Sequence, residues 1–379
     1  MQLGVPKEIK AQEFRVGMTP AGVRELVSAD HSVLIESGAG DAIGLTDDLY
    51  RAAGASVVET AEQVFAESDM VVKVKEPQPH ECRRLRPGQL LFTYLHLAAD
   101  PLQAELLMNS GATCIAYETI TSPKGGLPLL APMSLVAGRL SVQAGAHHME
   151  IHQGGNGTLL GGVPGVAPGK VLVLGGGVVG SSAIRVALGM GADVTVLDRS
   201  VSRLGELDEQ YRGQLRTVYS TAEALEEHVS EADLIIGAVL IPGASAPKLI
   251  TAEMLADVKP GTVMVDVAID QGGCFETSRA TTHADPTYVV DGVVHYCVAN
   301  MPGAVARTAT MALTNATLPF VTRLASADVG SLLLEDRHFA TGLNIVHGQL
   351  THRAVADALG QTWTEPDQML RASLHLKSA

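Results

Sequence analysis

Residues 170–198 read KVLVLGGGVVGSSAIRVALGMGADVTVLD. Residues 171–174 form a short all-apolar run, the kind buried on both faces of a parallel sheet. Gly175, Gly177 and Gly180 follow in GxGxxG spacing. The first permits a tight turn, the second lets backbone approach a pyrophosphate, and the third lets the helix pack close to its strand. A helix is expected over about 178–190, its amino end and positive dipole aimed at the phosphates. A second strand, 193–197, leads into Asp198, roughly 20 residues past the glycines, where a carboxylate can accept hydrogen bonds from both ribose hydroxyls of an adenosine. GxGxxG alone is weak in a chain with 39 glycines. Strand, turn, helix, strand and acid in this order make it specific for a dinucleotide. Asp198 favours NAD over NADP, because a carboxylate repels a 2′-phosphate. Arg199 is the competing signal, but a side chain directly after a strand end usually points away from the ribose.

Beyond Asp198 the pattern continues, with apolar strands expected at 215–219, 233–238 and 262–267 and helical stretches between them. The first 120 residues repeat the style without the glycine fingerprint, with strands expected at 2–5, 32–36, 70–74, 90–94 and 113–117. A helix is expected to start at Thr19-Pro20, with Thr19 as N-cap and Pro20 in the first turn. A long, mostly helical stretch over 133–151 leads into a glycine-rich loop, and another helical pattern begins after Pro302. The fold class is therefore α/β with two doubly wound domains: an inserted Rossmann dinucleotide domain (131–304) and a discontinuous α/β domain (1–130 with 305–379). The active site is expected in the cleft between them.

Length and charge narrow the function. A chain of 379 residues is natural for two domains. A formal net charge of −14 argues against a nucleic-acid or anionic-membrane partner. Cys82, Cys114, Cys274 and Cys297 have no metal-ligand spacing and read as reduced thiols of a cytoplasmic protein. The uncharged run 151–169 is broken by glycines and prolines, so no membrane span is expected. His148 and His152 stand in HxxxH spacing, but in HMEIH the glutamate falls one position late for a zincin motif, and no metal is expected.

Ligands of open α/β sheets sit beyond the carboxyl ends of the strands. Lys75 closes the run VVKVK, His96 closes LLFTYLH, and Arg15 lies in the loop after the first strand. On the second sheet Asp270 lies just past MVDVA. Each has an ordinary structural reading: Arg15 as a surface charge beside Glu13, Lys75 as a partner of Glu76, His96 as a hydrogen-bonded structural residue, Asp270 as a turn former. Together they suit a small carboxylate substrate, which needs cations for its charge and an acid/base for proton transfer beside a hydride.

These residues lie in segments that resemble the L-alanine dehydrogenases: KEIKAQEFRVGMTPAGV (7–23), VKVKEP (72–77), LFTYLHLA (91–98), VDVAIDQGGCFETSR (265–279), HYCVANMPGAVARTAT (295–310) and ALTNATLPF (312–320). That family also includes the NAD-binding portion of proton-translocating transhydrogenases. The resemblance implies that Arg15 and Lys75 bind the substrate carboxylate and its carbonyl or amine end. It implies that His96 is the general acid/base and that Asp270 orients the amine or the attacking water. Cofactor contacts are implied at Ser134, at the glycine turn with Val178, and at Asp198, Arg203 and Ser220. Further contacts are implied at Val239, Leu240, Val267, Ala268, Ile269, Asp270, Val298, Ala299, Asn300 and Met301. The implied reaction is reversible NAD-dependent oxidative deamination of L-alanine to pyruvate and ammonium, by a homohexamer. Leu135, where a glutamate is expected, and Ala306, where proline is common, depart from the family pattern. The alternatives are a non-catalytic NAD(H)-binding transhydrogenase subunit and a dehydrogenase of another small amino acid.

Overall fold

The computed structural model describes residues 1–239 and 246–377. The chain separates into two compact units, Met1–Met133 with Val305–Ala379, and Ser134–Ala304. The first begins with β1 (Gln2–Val5), β2 (Ser32–Glu36), β3 (Ser56–Val58), β4 (Met70–Val72), β5 (Leu90–Thr93) and β6 (Thr113–Ala116). The second holds β7 (Lys170–Leu174), β8 (Asp193–Asp198), β9 (Arg216–Tyr219), β10 (Leu234–Gly237), β11 (Val263–Asp266), β12 (Thr287–Val290) and β13 (Val293–Tyr296). The chain then adds β14 (Leu343–Val346) and β15 (Gln349–Leu350) to the first unit.

The sheet of the first unit runs β15-β14-β6-β5-β4-β1-β2-β3 and that of the second β12-β13-β11-β10-β7-β8-β9. From β6 to β3, and from β13 to β9, every pairing is parallel; only the pairings of β14 with β6 and β15, and of β12 with β13, are antiparallel. This is the two-domain α/β class expected from sequence. The central strands are apolar along their length because helices cover both faces: β7 buries Val171 to Leu174 and β10 buries Leu234 to Gly237. In the first unit Leu91, Cys114, Ile345, Phe65 and Leu107 share one core cluster, so the late strand β14 completes a core begun near the amino terminus.

Two hairpins escaped the sequence reading. Asp291 and Gly292, both at positive φ, turn β12 into β13, and His347 and Gly348 do the same between β14 and β15. Asp-Gly between apolar runs is a strong hairpin signal; here the second run, VVHY, is too short and too buried to show alternation. Thr19 caps the helix Pro20–Ser28 by accepting from the Gly22 N–H, as its sequence indicates. Strands β4, β5 and β6 end one or two residues before their expected ends, and the residues released there build the candidate site.

Candidate active site

Strands β1, β4 and β5 are immediate neighbours in the first sheet. Their carboxyl ends bring Arg15, Lys75 and His96 to one rim, Lys75 and His96 just past their strands and Arg15 on the longer loop after β1. The loop after β1 is pressed onto the end of β4. Gly17 sits so close to the Val72 carbonyl that a Cβ there would collide with it, and Val16 N–H donates to Thr310 Oγ1 at 3.3 Å. Arg15 is therefore not a surface charge. It is only 2% exposed and grips Glu13 with two charge-assisted bonds, Nε to Oε1 at 2.7 Å and Nη2 to Oε2 at 2.5 Å. Burial works against its charge, but Glu13 outweighs burial and holds Arg15 protonated beyond its already high range. This pair uses two of a guanidinium's five N–H donors.

Lys75 is half-buried, and its backbone is held from two sides. Its carbonyl accepts from Thr93 Oγ1 at 3.0 Å, and Glu8 Oε1 accepts the Val74 N–H at 2.7 Å and, more weakly, the Lys75 N–H at 3.4 Å. Glu8 belongs to a triad of fully buried charges that the sequence did not advertise. Lys73 Nζ lies 3.3 Å from Glu8 Oε2 and 2.9 Å from Glu81 Oε1, and Glu81 in turn accepts the Gln78 N–H at 2.8 Å. Burial works against the charge of Lys73, but Glu8 and Glu81 outweigh it and hold the ammonium above the usual lysine range. With two acids to one base, burial pushes Glu8 above the usual carboxylate range despite Lys73. Glu76 pairs with Lys10. Burial works against its charge, yet Lys75 and Lys10 hold it below the usual range.

His96 stands at the end of β5 with its side chain 46% exposed. Its backbone is left-handed, φ 51° and ψ 34°, uncommon for a residue with a Cβ. Tyr94, buried and donating its hydroxyl to the Leu129 carbonyl at 2.6 Å, stacks its ring on the imidazole with centroids 5.8 Å apart. Burial pushes the Tyr94 phenol up, so it stays a donor. Met133, whose sulfur accepts from Arg15 Nη1 at 3.1 Å, lies on the same side of the first unit.

In the second unit, the candidate cofactor residues lie at the carboxyl ends of successive parallel strands. Gly175 leaves β7 at φ +96°, and a Cβ on Gly180 would run into the Gly175 carbonyl. A Cβ on Gly177, the N-cap of the helix Val178–Gly189, would meet nothing. Open space therefore lies beside the helix amino end, whose first-turn N–H groups have no partner within the helix. Asp198 ends β8. Its Oδ2 takes the Gly176 N–H at 2.7 Å and its Oδ1 the Ser200 N–H at 2.8 Å, so the acid that would hold a ribose also fixes the turn. Arg203 braces the same turn, Nε to the Gly176 carbonyl at 2.7 Å and Nη2 to Ser181 Oγ at 2.6 Å. Ser220 follows β9, and Val239 follows β10; Leu240 lies outside the described residues. Val267 to Asp270 follow β11, with Asp270 exposed in a 3₁₀ turn. Val298 to Met301 follow β13, Asn300 being left-handed. Ser134 lies on the helix Ala131–His148. That helix packs so closely on the cofactor helix that Gly138 has no room for a Cβ against the Val179 carbonyl. The expected cradle for a diphosphate fits these residues.

Asp266, overlooked in the sequence, anchors the loop after β11. It accepts from the Ala268 and Cys274 N–H groups at 3.1 and 2.9 Å and from Ser278 Oγ at 2.5 Å. Burial nonetheless pushes its carboxyl up. Of the connecting-segment histidines, His147 and His152 flank Glu150 at the surface, while His148 is buried against Tyr296. Among the described residues no group of three or more metal-ligating side chains converges. All four cysteines are free and buried, and burial pushes the Cys82 thiol up to about 12.

Two family descriptions cover most of the sequence. That of the alanine dehydrogenase/PNT N-terminal domain matches residues 4–137, and that of the C-terminal domain matches residues 141–353. The chain belongs to the alanine dehydrogenase/PNT family. A relative from Halomonas elongata called alanine dehydrogenase is 62% identical over 98% of this chain and all of its own length. One of the same name from Mycolicibacterium smegmatis is 52% identical over the same share. Among solved structures, an L-alanine dehydrogenase superposes with a TM-score of 0.92 at 53% identity, covering 95% of this chain and 99% of that one. A transhydrogenase from Sinorhizobium meliloti superposes at 0.79 with 25% identity, covering 93% and 100%. The N-terminal match lies almost wholly in the first unit, and the C-terminal match covers most of the second before running on to residue 353 of the first.

Proposed function

We propose that this chain catalyses the NAD-dependent oxidative deamination of L-alanine to pyruvate and ammonium, and the reverse amination. The observation that carries the reading is the rim of the first sheet, where Arg15, Lys75 and His96 stand past three adjacent strands of a chain 62% identical to an alanine dehydrogenase. Arg15, immobilised by Glu13, takes the substrate carboxylate. Lys75 polarises the carbonyl oxygen of pyruvate, so no metal is required for that task. Bound NAD supplies a nicotinamide that accepts hydride from the substrate Cα. Asp270 orients the amine or the attacking water, and His96 moves protons on and off the carbinolamine. A neutral imidazole suits this role near physiological pH.

The cofactor is held by Gly175, Gly177, Val178 and Gly180 at the diphosphate and Asp198 at the ribose. Ser134, Arg203, Ser220, Val239, Leu240, Val267 to Asp270 and Val298 to Met301 complete its surroundings. The chain works in the cytoplasm as a homohexamer. No helix among the described residues is long and apolar enough to cross a membrane. A transhydrogenase subunit that only bound nucleotide would have no use for the buried Arg15 and its neighbours.

The test is His96→Gln, which keeps hydrogen bonding and approximate shape but cannot exchange a proton near neutral pH. General acid/base catalysis contributes on the order of 10²–10⁴-fold, so turnover of L-alanine should fall by about that much. NADH fluorescence titration should be unchanged. Near-wild-type alanine oxidation would remove His96 from the mechanism.

A further inference from the structure

Glu118 sits in the 3₁₀ turn Tyr117–Thr119 that follows β6, the strand beside β5. Its side chain is only 15% exposed, and it faces the end of β5. Oε1 accepts the His96 N–H at 2.6 Å and the Leu95 N–H at 3.1 Å, and Oε2 accepts the Leu95 N–H at 3.2 Å. Two successive backbone N–H groups converging on one carboxylate form an anion nest. That nest accounts for the left-handed backbone of His96, which nothing else in its immediate sequence favours. The same Oε1 lies 4.0 Å from His96 Nδ1, too far for a hydrogen bond but close for a charge. One carboxylate thus addresses both the backbone and the ring of the proposed acid/base, while Tyr94 stacks on the ring face.

We infer that Glu118 is a positioning residue for proton transfer. Its carboxylate sets the His96 backbone so that the ring stands out from the sheet end, and it turns Nδ1 inward so that Nε2 faces the substrate. A carboxylate behind an imidazole fixes tautomer and orientation and stabilises the imidazolium formed when the other nitrogen takes a proton. The proton passes between the substrate oxygen or nitrogen and Nε2; no bond to Glu118 forms or breaks. The other charged groups on this rim are Arg15, paired with Glu13, and Lys75 and Glu76 past β4. His352, the N-cap of the helix Arg353–Leu359, also feels the Glu118 charge and is kept towards neutral by its burial. None of these reaches the Leu95 and His96 amides, so the role falls to Glu118.

The inference rests on His96 being the proton-transfer group, and the test separates the two. Glu118→Gln keeps an oxygen for the backbone amides and loses the charge. It should lower kcat roughly 10- to 100-fold, less than His96→Gln does. It should also raise the solvent deuterium isotope effect on kcat, leaving NADH affinity and Tm near wild type. Glu118→Asp, one methylene shorter but charged, should recover most of the lost kcat. Glu118→Ala, which also removes the backbone acceptor, should lose further kcat and lower Tm. Wild-type kcat and isotope effect in Glu118→Gln, with His96→Gln inactive, would make Glu118 a plain backbone cap and overturn the inference alone. Full activity in His96→Gln would overturn both.

Discussion

The two sheet rims are built from opposite materials. In the first unit the rim is built on paired charges, most of them buried: Arg15 with Glu13, Lys73 with Glu8 and Glu81, and the half-exposed Lys10 with Glu76. In the second unit the corresponding edge is mostly backbone, with glycines where side chains would intrude and Asp198, Arg203 and Asp266 tying the loops down. The difference follows the ligands. A substrate as small as alanine offers little surface, so recognition must come from strong point charges, and a buried cation persists only beside a counter-ion. A dinucleotide offers a long diphosphate that amide dipoles can follow, provided nothing larger than hydrogen stands in the way.

Breaking the charged rim should have the largest effect on stability. Lys73→Met leaves Glu8 and Glu81 buried without a base, and removing one partner from such a group costs about 3–5 kcal/mol. Urea denaturation should show this loss, together with a raised KM for pyruvate as the backbone of Lys75 loosens. Replacing all three charges with Gln, Met and Gln should restore most of the stability. A fully stable Lys73→Met would mean that charge pairing does not organise this rim.

Breaking the backbone rim should weaken cofactor binding more than stability. Gly180→Ala forces a methyl into the Gly175 carbonyl, an overpacking worth about 1–3 kcal/mol, and the turn must shift. NADH affinity, read by fluorescence titration, should fall more than tenfold while Arg15 and Lys75 remain in place. Asp198→Ala sharpens the comparison further. A charged acceptor on ribose hydroxyls is worth roughly 1.5–3 kcal/mol, so NAD binding should weaken about 10- to 100-fold and NADP binding much less. Equal loss for both cofactors would contradict the ribose assignment.

The smallest effect should come from a helix cap that belongs to neither rim. Asp336 accepts the His338 and Phe339 N–H groups and an Arg323 contact at 2.9 Å. Burial would raise its carboxyl, but the Phe339 N–H, Arg323 and the His338 N–H together hold it below the ordinary range. A depressed acid stabilises above its unfolded pKa, and that stability is lost as pH falls through the folded one. Wild type should therefore exceed Asp336→Asn by about 1 kcal/mol at neutral pH. The gap should close as pH drops below the carboxylate range, as a Tm-versus-pH series will record.

The same contrast explains what the sequence disclosed. The backbone rim was legible because it depends on residue types being absent: glycines at 175, 177 and 180 and a carboxylate at 198 are local and ordered. Arg15, Lys75 and His96 were legible as strand-end charges, and Glu13 was visible only as a neighbour. Lys73 read as part of an apolar strand. Glu8, Glu81 and Glu118 gave no signal, since each reaches its partner across the fold, Glu118 over 22 residues to His96. Asp266 was hidden inside a strand. The edge strand β3, only three residues long, and the two hairpins were missed because they are too short to show a period.

The late strand β14 bears on how the chain is made. Leu343 pairs with Ile115, more than two hundred residues earlier, while the second unit is one uninterrupted stretch from Ser134 to Ala304. On the ribosome, the inserted unit can close its sheet while the first still has β6 as a bare edge, awaiting the last tenth of the chain. Such distant pairings are slow to form and expose sticky edges meanwhile. Truncation shortly before Leu343 should therefore leave a nascent chain that binds nucleotide yet aggregates through its unfinished first sheet.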